Sequence, residues 1–191
     1  MIKIKSNTNK TLSYILFVFA FSFKSGFSQG REIKEIFNAS THSVEVGDSC
    51  FLPQYQVGNR WRYDCLCPEL DSACNSIYAF LKKNPSISIA FIVHSDPRPI
   101  PMGNDMLTTH QANRLKERIL EYGDIDSNRI VAIGMGDRQL RIVTKEIHQQ
   151  YKFLPVGQIL DMDFCRTIQE HKKREIAIGF NRRSVVKIIK K

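Results

Sequence analysis

Leu70, Ala73, Cys74, Ile77 and Leu81 recur at three- and four-residue steps, with polar or charged residues filling most of the positions between them. That spacing predicts one apolar stripe on a helix over 68–83. Pro68 suits a first helical position, Glu69 and Asp71 sit where the helix dipole favours acids, and Asn84-Pro85 ends the element. The period then shortens. Ile87, Ile89, Phe91 and Val93 alternate with smaller partners, which predicts a strand with one face packed on helices and His94-Ser95-Asp96 at its C-terminal tip. After a Pro-rich stretch over 97–103, Ala112, Leu115, Ile119 and Tyr122 return to the helical period and predict a second helix over 109–122.

Gly123-Asp124 closes that helix, and Ile130-Val131-Ala132-Ile133 predicts a third strand. Gly134-Met135-Gly136-Asp137 reads as a turn and not as a phosphate loop, because no Lys-Ser/Thr follows and no helix starts there. Residues 144–170 keep no single period and read as an insertion, after which Val185-Val186-Lys187-Ile188-Ile189 predicts a last strand. Upstream, Gly47-Asp48-Ser49-Cys50-Phe51-Leu52-Pro53 introduces a first strand continuing through Tyr55 to Val57, and 58–67 reads as an irregular basic and aromatic loop holding Trp61 and Tyr63. The order strand, helix, strand, helix, strand, insertion, strand predicts an α/β (α+β) two-layer sandwich over 47–191. Residues 29–46 are mixed and polar and read as a leader to it.

The first 28 residues change the picture of where this domain works. Lys3, Lys5 and Lys10 precede an apolar run over 12–23, and Gly26-Phe27-Ser28 offers small residues at the positions a signal peptidase reads. Such a run spans about 18 Å as a helix, short of the roughly 30 Å hydrocarbon core, so a cleaved signal is expected, with no transmembrane segment in the mature chain. The net charge of +9 falls to +5 on removal, because residues 1–28 hold four lysines and no acid. That modest excess names no partner, and the basic clusters His171-Lys172-Lys173-Arg174 and Lys187 to Lys191 read as solvated faces; no nucleic acid is expected. Export also bears on Cys50, Cys65, Cys67, Cys74 and Cys165, among which an oxidising compartment predicts one or two disulfides of unspecified pairing. Cys65-x-Cys67 is too close for a zinc knuckle, so no metal is expected. Nor is a cofactor or catalysis expected, since neither a nucleophile motif nor a paired-carboxylate site is legible.

Candidate chemistry gathers around Asp96. The segment Val93-His94-Ser95-Asp96 is followed by Asn104-Asp105-Met106-Leu107-Thr108-Thr109-His110-Gln111-Ala112, with Asn104 eight residues and Gln111 fifteen residues after Asp96. Gly134-Met135-Gly136-Asp137 and then Asn181-Arg182-Arg183 before the last strand follow in the same order. Together these resemble the signature of the OmpA-like peptidoglycan-binding domain: Gly-His-Thr-Asp at a strand end, Asn-x-x-Leu-Ser-x-x-Arg-Ala opening a helix, Gly-Tyr-Gly-Glu, and Asn-Arg-Arg. The resemblance covers roughly residues 47–190 and implies the βαβαβ(β) fold of that family. It also implies that Asp96 meets the ammonium of a diaminopimelate residue in the wall peptide, that Asn104 shapes the pocket, and that Arg182 or Arg183 supports it.

Two positions depart from the family pattern. Gln111 stands where the family has an arginine, and it offers two N–H donors without the charge or the planar fork that grips a carboxylate. Doing without that charge-assisted bond costs about 1.5–3 kcal/mol. Thr108-x-x-Gln111 also fits a capping box, which gives Gln111 a local role. Arg114, one turn further along the helix, and Arg98, two residues from Asp96, are the cations near enough to substitute. Val93 replaces the family glycine before the histidine and fills space where backbone would approach a ligand. Asp96 itself suits a loop carboxylate capping nearby amides as well as it suits a ligand.

The sequence therefore implies an exported, periplasmic cell-envelope domain, associated with the outer membrane through the wall or another protein, that binds peptidoglycan non-covalently through an altered site. The alternative is the same scaffold without peptidoglycan affinity, acting as a protein-interaction or structural module for other envelope proteins.

Overall fold

The computed structural model describes residues 31–32, 34–53, 67–100 and 103–191. The signal segment, the continuation of the first strand to Val57, and the loop with Trp61, Tyr63 and Cys65 lie outside the described residues. The chain forms a mixed α/β layer pair. Its elements are β1 (Ser49–Phe51), α1 (Pro68–Lys83), β2 (Ser88–His94), α2 (Asn104–Glu121), β3 (Ile130–Gly136), α3 (Lys145–Gln150), α4 (Met162–Thr167), α5 (His171–Gly179) and β4 (Arg183–Lys190).

The four strands lie in the order β1-β4-β2-β3. β4 runs antiparallel to both β1 and β2, while β2 and β3 are parallel. Register sorts the side chains by face. Phe91 stands beside Val186 and Ala132 on the helix-facing side, where Ile89, Val93 and Ile188 are also buried. Phe51, Val185, Ile92 and Ile133 form a row across the other side. The stripe of α1 enters the first face with Leu70, Ala73, Cys74, Ile77 and Leu81 all at most 2% exposed, as its period predicts. α2 adds Ala112, Leu115 and Ile119.

Residues 34–46 join this core despite their polar composition. Phe37 is fully buried and stacks on Phe80 with centroids 5.3 Å apart, and Val44 is buried beside it. Asp48, 1% exposed, ties the segment down: it accepts from the backbone N–H of Arg31 at 2.9 Å and of Glu45 at 3.0 Å, and pairs with the Arg31 guanidinium at 3.0 Å.

Three local expectations change. α2 begins at Asn104, five residues before the expected start, with Gly103 at the N-cap and no side-chain cap. The capping box of Thr108 and Gln111 therefore does not form. Thr108 lies inside the helix, donating to the Asn104 carbonyl at 2.8 Å and accepting from the Gly136 N–H at 2.9 Å. Gly134-Met135-Gly136 is not a turn but the end of β3, which pairs Val93 with Gly134 and His94 with Gly136 across a bulge. Both glycines are needed there. A Cβ on Gly134 would strike the Thr109 backbone, and one on Gly136, which also has φ of +52°, would strike the Asp105 carboxylate. The first turn of α2 thus lies directly on the strand.

The third change concerns the cysteines. Cys50, Cys67, Cys74 and Cys165 are free thiols where export leads one to expect disulfides. Cys50 and Cys74 sit in the main core as small apolar side chains, and burial pushes their thiols up to about 11 and about 12.

The insertion builds a second, smaller core of its own. Val143, Ile147, Leu154, Leu160 and Cys165 pack on Ala177 and Ile178 of α5. Thr144 and Asp161 cap α3 and α4 through bonds from the Ile147 and Phe164 N–H groups. Asn181, fully buried, joins this unit to the sheet: its Oδ1 accepts from the Arg141 N–H at 2.7 Å and its Nδ2 donates to the Leu160 carbonyl at 2.8 Å.

Candidate functional site

β2 delivers His94, Ser95 and Asp96 to the edge of the sheet, where the Ser95 N–H is held by the Gly136 carbonyl at 2.8 Å. Asp96 is 9% exposed, and both its oxygens are engaged. Oδ1 accepts from the Arg98 backbone N–H at 3.0 Å and from its Nε at 3.1 Å, while Oδ2 accepts from Arg98 Nη2 at 2.9 Å. The side chain of Arg98 thus folds back on the carboxylate two residues before it as a two-pronged fork. Its remaining prong, Nη1, reaches α5 and donates to Glu175 at 3.1 and 3.3 Å. Arg182 Nη1 lies 3.7 Å from Asp96 Oδ2, and Asn104 Nδ2 donates to the Asp96 carbonyl at 3.2 Å.

The structure therefore brings together Asp96, Asn104, Arg98 and Arg182 of the sequence-predicted residues and adds Glu175. Two carboxylates and two guanidiniums alternate within one cluster. The outer members are partly open to solvent, with side-chain exposures of 38% for Arg98, 37% for Glu175 and 45% for Arg182 against 12% for Asp96.

The other predicted residues go elsewhere. Gln111 is 6% exposed and lies on the buried stripe of α2 with Thr108, Ala112 and Leu115. Arg114 pairs along its own helix with Glu117 at 2.9 Å and Glu121 at 3.3 Å, whereas the ion pairs of Asp96 among the described residues are with Arg98 and Arg182. Arg183 turns from the cluster to bond backbone carbonyls, Nη1 to Asn181 at 3.1 Å and Nη2 to Gln139 at 2.9 Å. Burial, with Arg141 nearby, lowers its pKa to about 10.

His94 is 5% exposed. Burial first, then the positive charges of Arg183 and Arg141, pushes its imidazole down to about 3, so it is neutral at ordinary pH. Its Nδ1 and the Ser95 Oγ are buried without a hydrogen bond among the described residues, so polar capacity is unused at this strand tip.

Beside the cluster opens a cleft of about 630 Å³. Glu175 and Arg182 form the wall it shares with Asp96, and Arg183, Arg141, Tyr151 and Phe51 line the rest together with α5. Sequence reasoning missed Glu175, Arg141 and Tyr151. The available signal was the unpaired basic and aromatic character of 138–153, which lacked any period to place it.

Among the described residues no helix is long and apolar enough to cross a membrane, and no cluster of three or more His, Cys, Asp or Glu side chains is placed to hold a metal ion. No protein-family model matches the chain, and no curated protein matches it. Among solved structures it is similar to a MotB-like protein from Desulfovibrio vulgaris, with 14% identity, 66% of this chain and 65% of that chain covered, and a TM-score of 0.41. The periplasmic domain of Helicobacter pylori MotB shares 13% identity over 66% of each chain, with a TM-score of 0.44. The OmpA-like domain of FopA1 from Francisella tularensis subsp. tularensis SCHU S4 shares 13% identity over 75% of this chain and 83% of that one, with a TM-score of 0.38. The chain thus spans about two thirds of the length of the first two.

Proposed function

We propose that this chain is an exported envelope domain of the OmpA-like kind, which holds the peptidoglycan peptide non-covalently in the periplasm through an altered site at the tip of β2. The observation that carries the reading is the convergence of Asp96 and Glu175 with Arg98 and Arg182. Adjacent opposite charges match the two ends of a zwitterionic amino acid such as diaminopimelate. Its ammonium meets the carboxylates, and its carboxylate meets a guanidinium. Arg98 supplies from the loop the cation that the family resemblance would put at position 111. Asn104 holds the strand tip by its backbone, so that Asp96 keeps one orientation.

A second reading has its own support. Arg98 already fills both oxygens of Asp96, so an arriving ammonium has to displace it. In that reading the cluster is a closed internal ion pair, and the domain is a scaffold for other envelope proteins.

Pelleting with purified sacculi separates the two. Wall binding requires the protein to pellet at low salt, to stay in solution as Asp96→Ala, and to bind roughly tenfold to a hundredfold more weakly as Arg98→Ala. High salt should weaken the retention by screening. A closed site leaves the natural protein in the supernatant, and Arg98→Ala or Gln111→Arg then moves it towards the pellet. That second pattern would sink the wall-binding reading.

A further inference from the structure

The cleft beside the Asp96 cluster carries a positive charge that the fold does not balance. Arg141 and Arg183 both line it, and neither pairs with a carboxylate among the described residues. Arg183 spends its hydrogen bonds on two backbone carbonyls, which leave its charge in place. Arg141 lies over the Phe51 ring, 5.0 Å from the centroid. Arg141 stands close enough that its charge, after burial, lowers the Arg183 pKa, and the charges of both reach His94. Like charges held together beside a cavity are an unfavourable arrangement unless an anion joins them.

The walls are of the opposite character. Tyr151 from the insertion stands edge-on to Phe180 of the α5–β4 junction, with centroids 5.3 Å apart, and both line the cavity with Phe51. Arg141 and Tyr151 belong to the segment that follows β3, and Asn181 fixes that segment by holding the Arg141 N–H. Tyr151 and Phe180 pack on the second core, while Arg183 and Phe51 come from β4 and β1, so the cleft lies where the insertion meets the sheet. A volume of about 630 Å³ suits a molecule of small-ligand size rather than a bare ion.

We propose that this cleft binds a small organic anion, its carboxylate or phosphate group between Arg141 and Arg183 and its apolar ring against Phe51, Tyr151 and Phe180. The site is separate in its chemistry from the zwitterion reading of Asp96 and does not rest on it.

Calorimetric titration of the full chain with 2-naphthoate and with 1-naphthyl phosphate tests this, with inorganic phosphate and 2-naphthol as single-feature probes. Both organic anions should bind, and whichever binds more tightly identifies the preferred group. Phosphate alone and the neutral ring should each bind at least tenfold more weakly, since each keeps only one of the two kinds of interaction. Arg141→Gln should weaken the organic anions roughly tenfold, as expected for one charge-assisted bond. Arg141→Lys keeps the charge and should retain most of the affinity, which distinguishes a missing charge from a failure to fold. The proposal is overturned if 2-naphthol binds as tightly as 2-naphthoate, or if inorganic phosphate matches naphthyl phosphate. Equal binding by Arg141→Gln and the natural chain overturns it as well. Sacculus pelleting of Asp96→Ala reports on the wall-peptide reading alone, so the two can fail independently.

Discussion

At the scale of single residues, Arg98 and not Gln111 meets the carboxylate at the tip of β2. Gln111 is neutral and buried, so the α2 position carries packing instead of charge. Arg98, two residues from Asp96 and on a loop, forks onto that carboxylate. His94 gives this region a measurable acid response. Its folded pKa, about 3, lies below the ordinary value of 6.5, so the unfolded chain takes up a proton in that window and the folded chain does not. Its contribution to stability is therefore complete above about pH 6.5 and is lost as pH falls towards 3, at up to about 1.4 kcal/mol per pH unit. Urea unfolding at pH 7, 5.5 and 4.5 should show His94→Gln losing less stability on acidification than the natural chain. An identical slope in both would remove His94 as the cause. Asp96 and its neighbours were legible in the sequence because they stand within a short, ordered segment. Glu175 was not, because it meets Arg98 from 77 residues away.

At the scale of elements, α1 and β2 follow from their periods: α1 turns one stripe to the core, and the large residues Ile89, Phe91 and Val93 of β2 alternate with Ser88, Ala90 and His94, which are buried on its other face. The start of α2 escaped the same reasoning. Its first turn rests on β3 through Thr108 and Asp105, polar residues that no apolar period marks, while Met106 is 63% exposed. α5 escaped for a related reason: its buried residues Ala177 and Ile178 are adjacent rather than spaced, and its first turn is basic. The glycines of β3 do have a sequence signal, since glycine inside a strand often marks a bulge or a close backbone approach. Gly134→Ala and Gly136→Ala should each lose about 1–3 kcal/mol by overpacking, with strain from positive φ adding to the second. Denaturant midpoints would fall at unchanged slope. A neutral result for Gly134→Ala would mean that α2 can lift from the strand without cost.

At the scale of the whole molecule, two cores share one chain, and the polar-looking segment before β1 belongs to the larger of them. Phe37 is fully buried against Phe80, so Phe37→Ala should destabilise the domain by about 3–5 kcal/mol, read as a fall in the unfolding midpoint. A loss under about 1 kcal/mol would show that residues 34–46 are a dispensable cover and not core. The two-layer α/β architecture was legible from the order of periods. The second core was not, because its residues are drawn from short helices and connecting turns, which satisfy one another only in three dimensions.

The strand order β1-β4-β2-β3 has a consequence in time as well as in space. The last strand of the sheet in chain order occupies an inner position, so β1 and β2 lack the partner that joins them until β4 is in place. A chain of this design cannot close its sheet early. Closure of the sheet therefore waits on pairing between strands far apart in the chain, the kind of contact that slows folding.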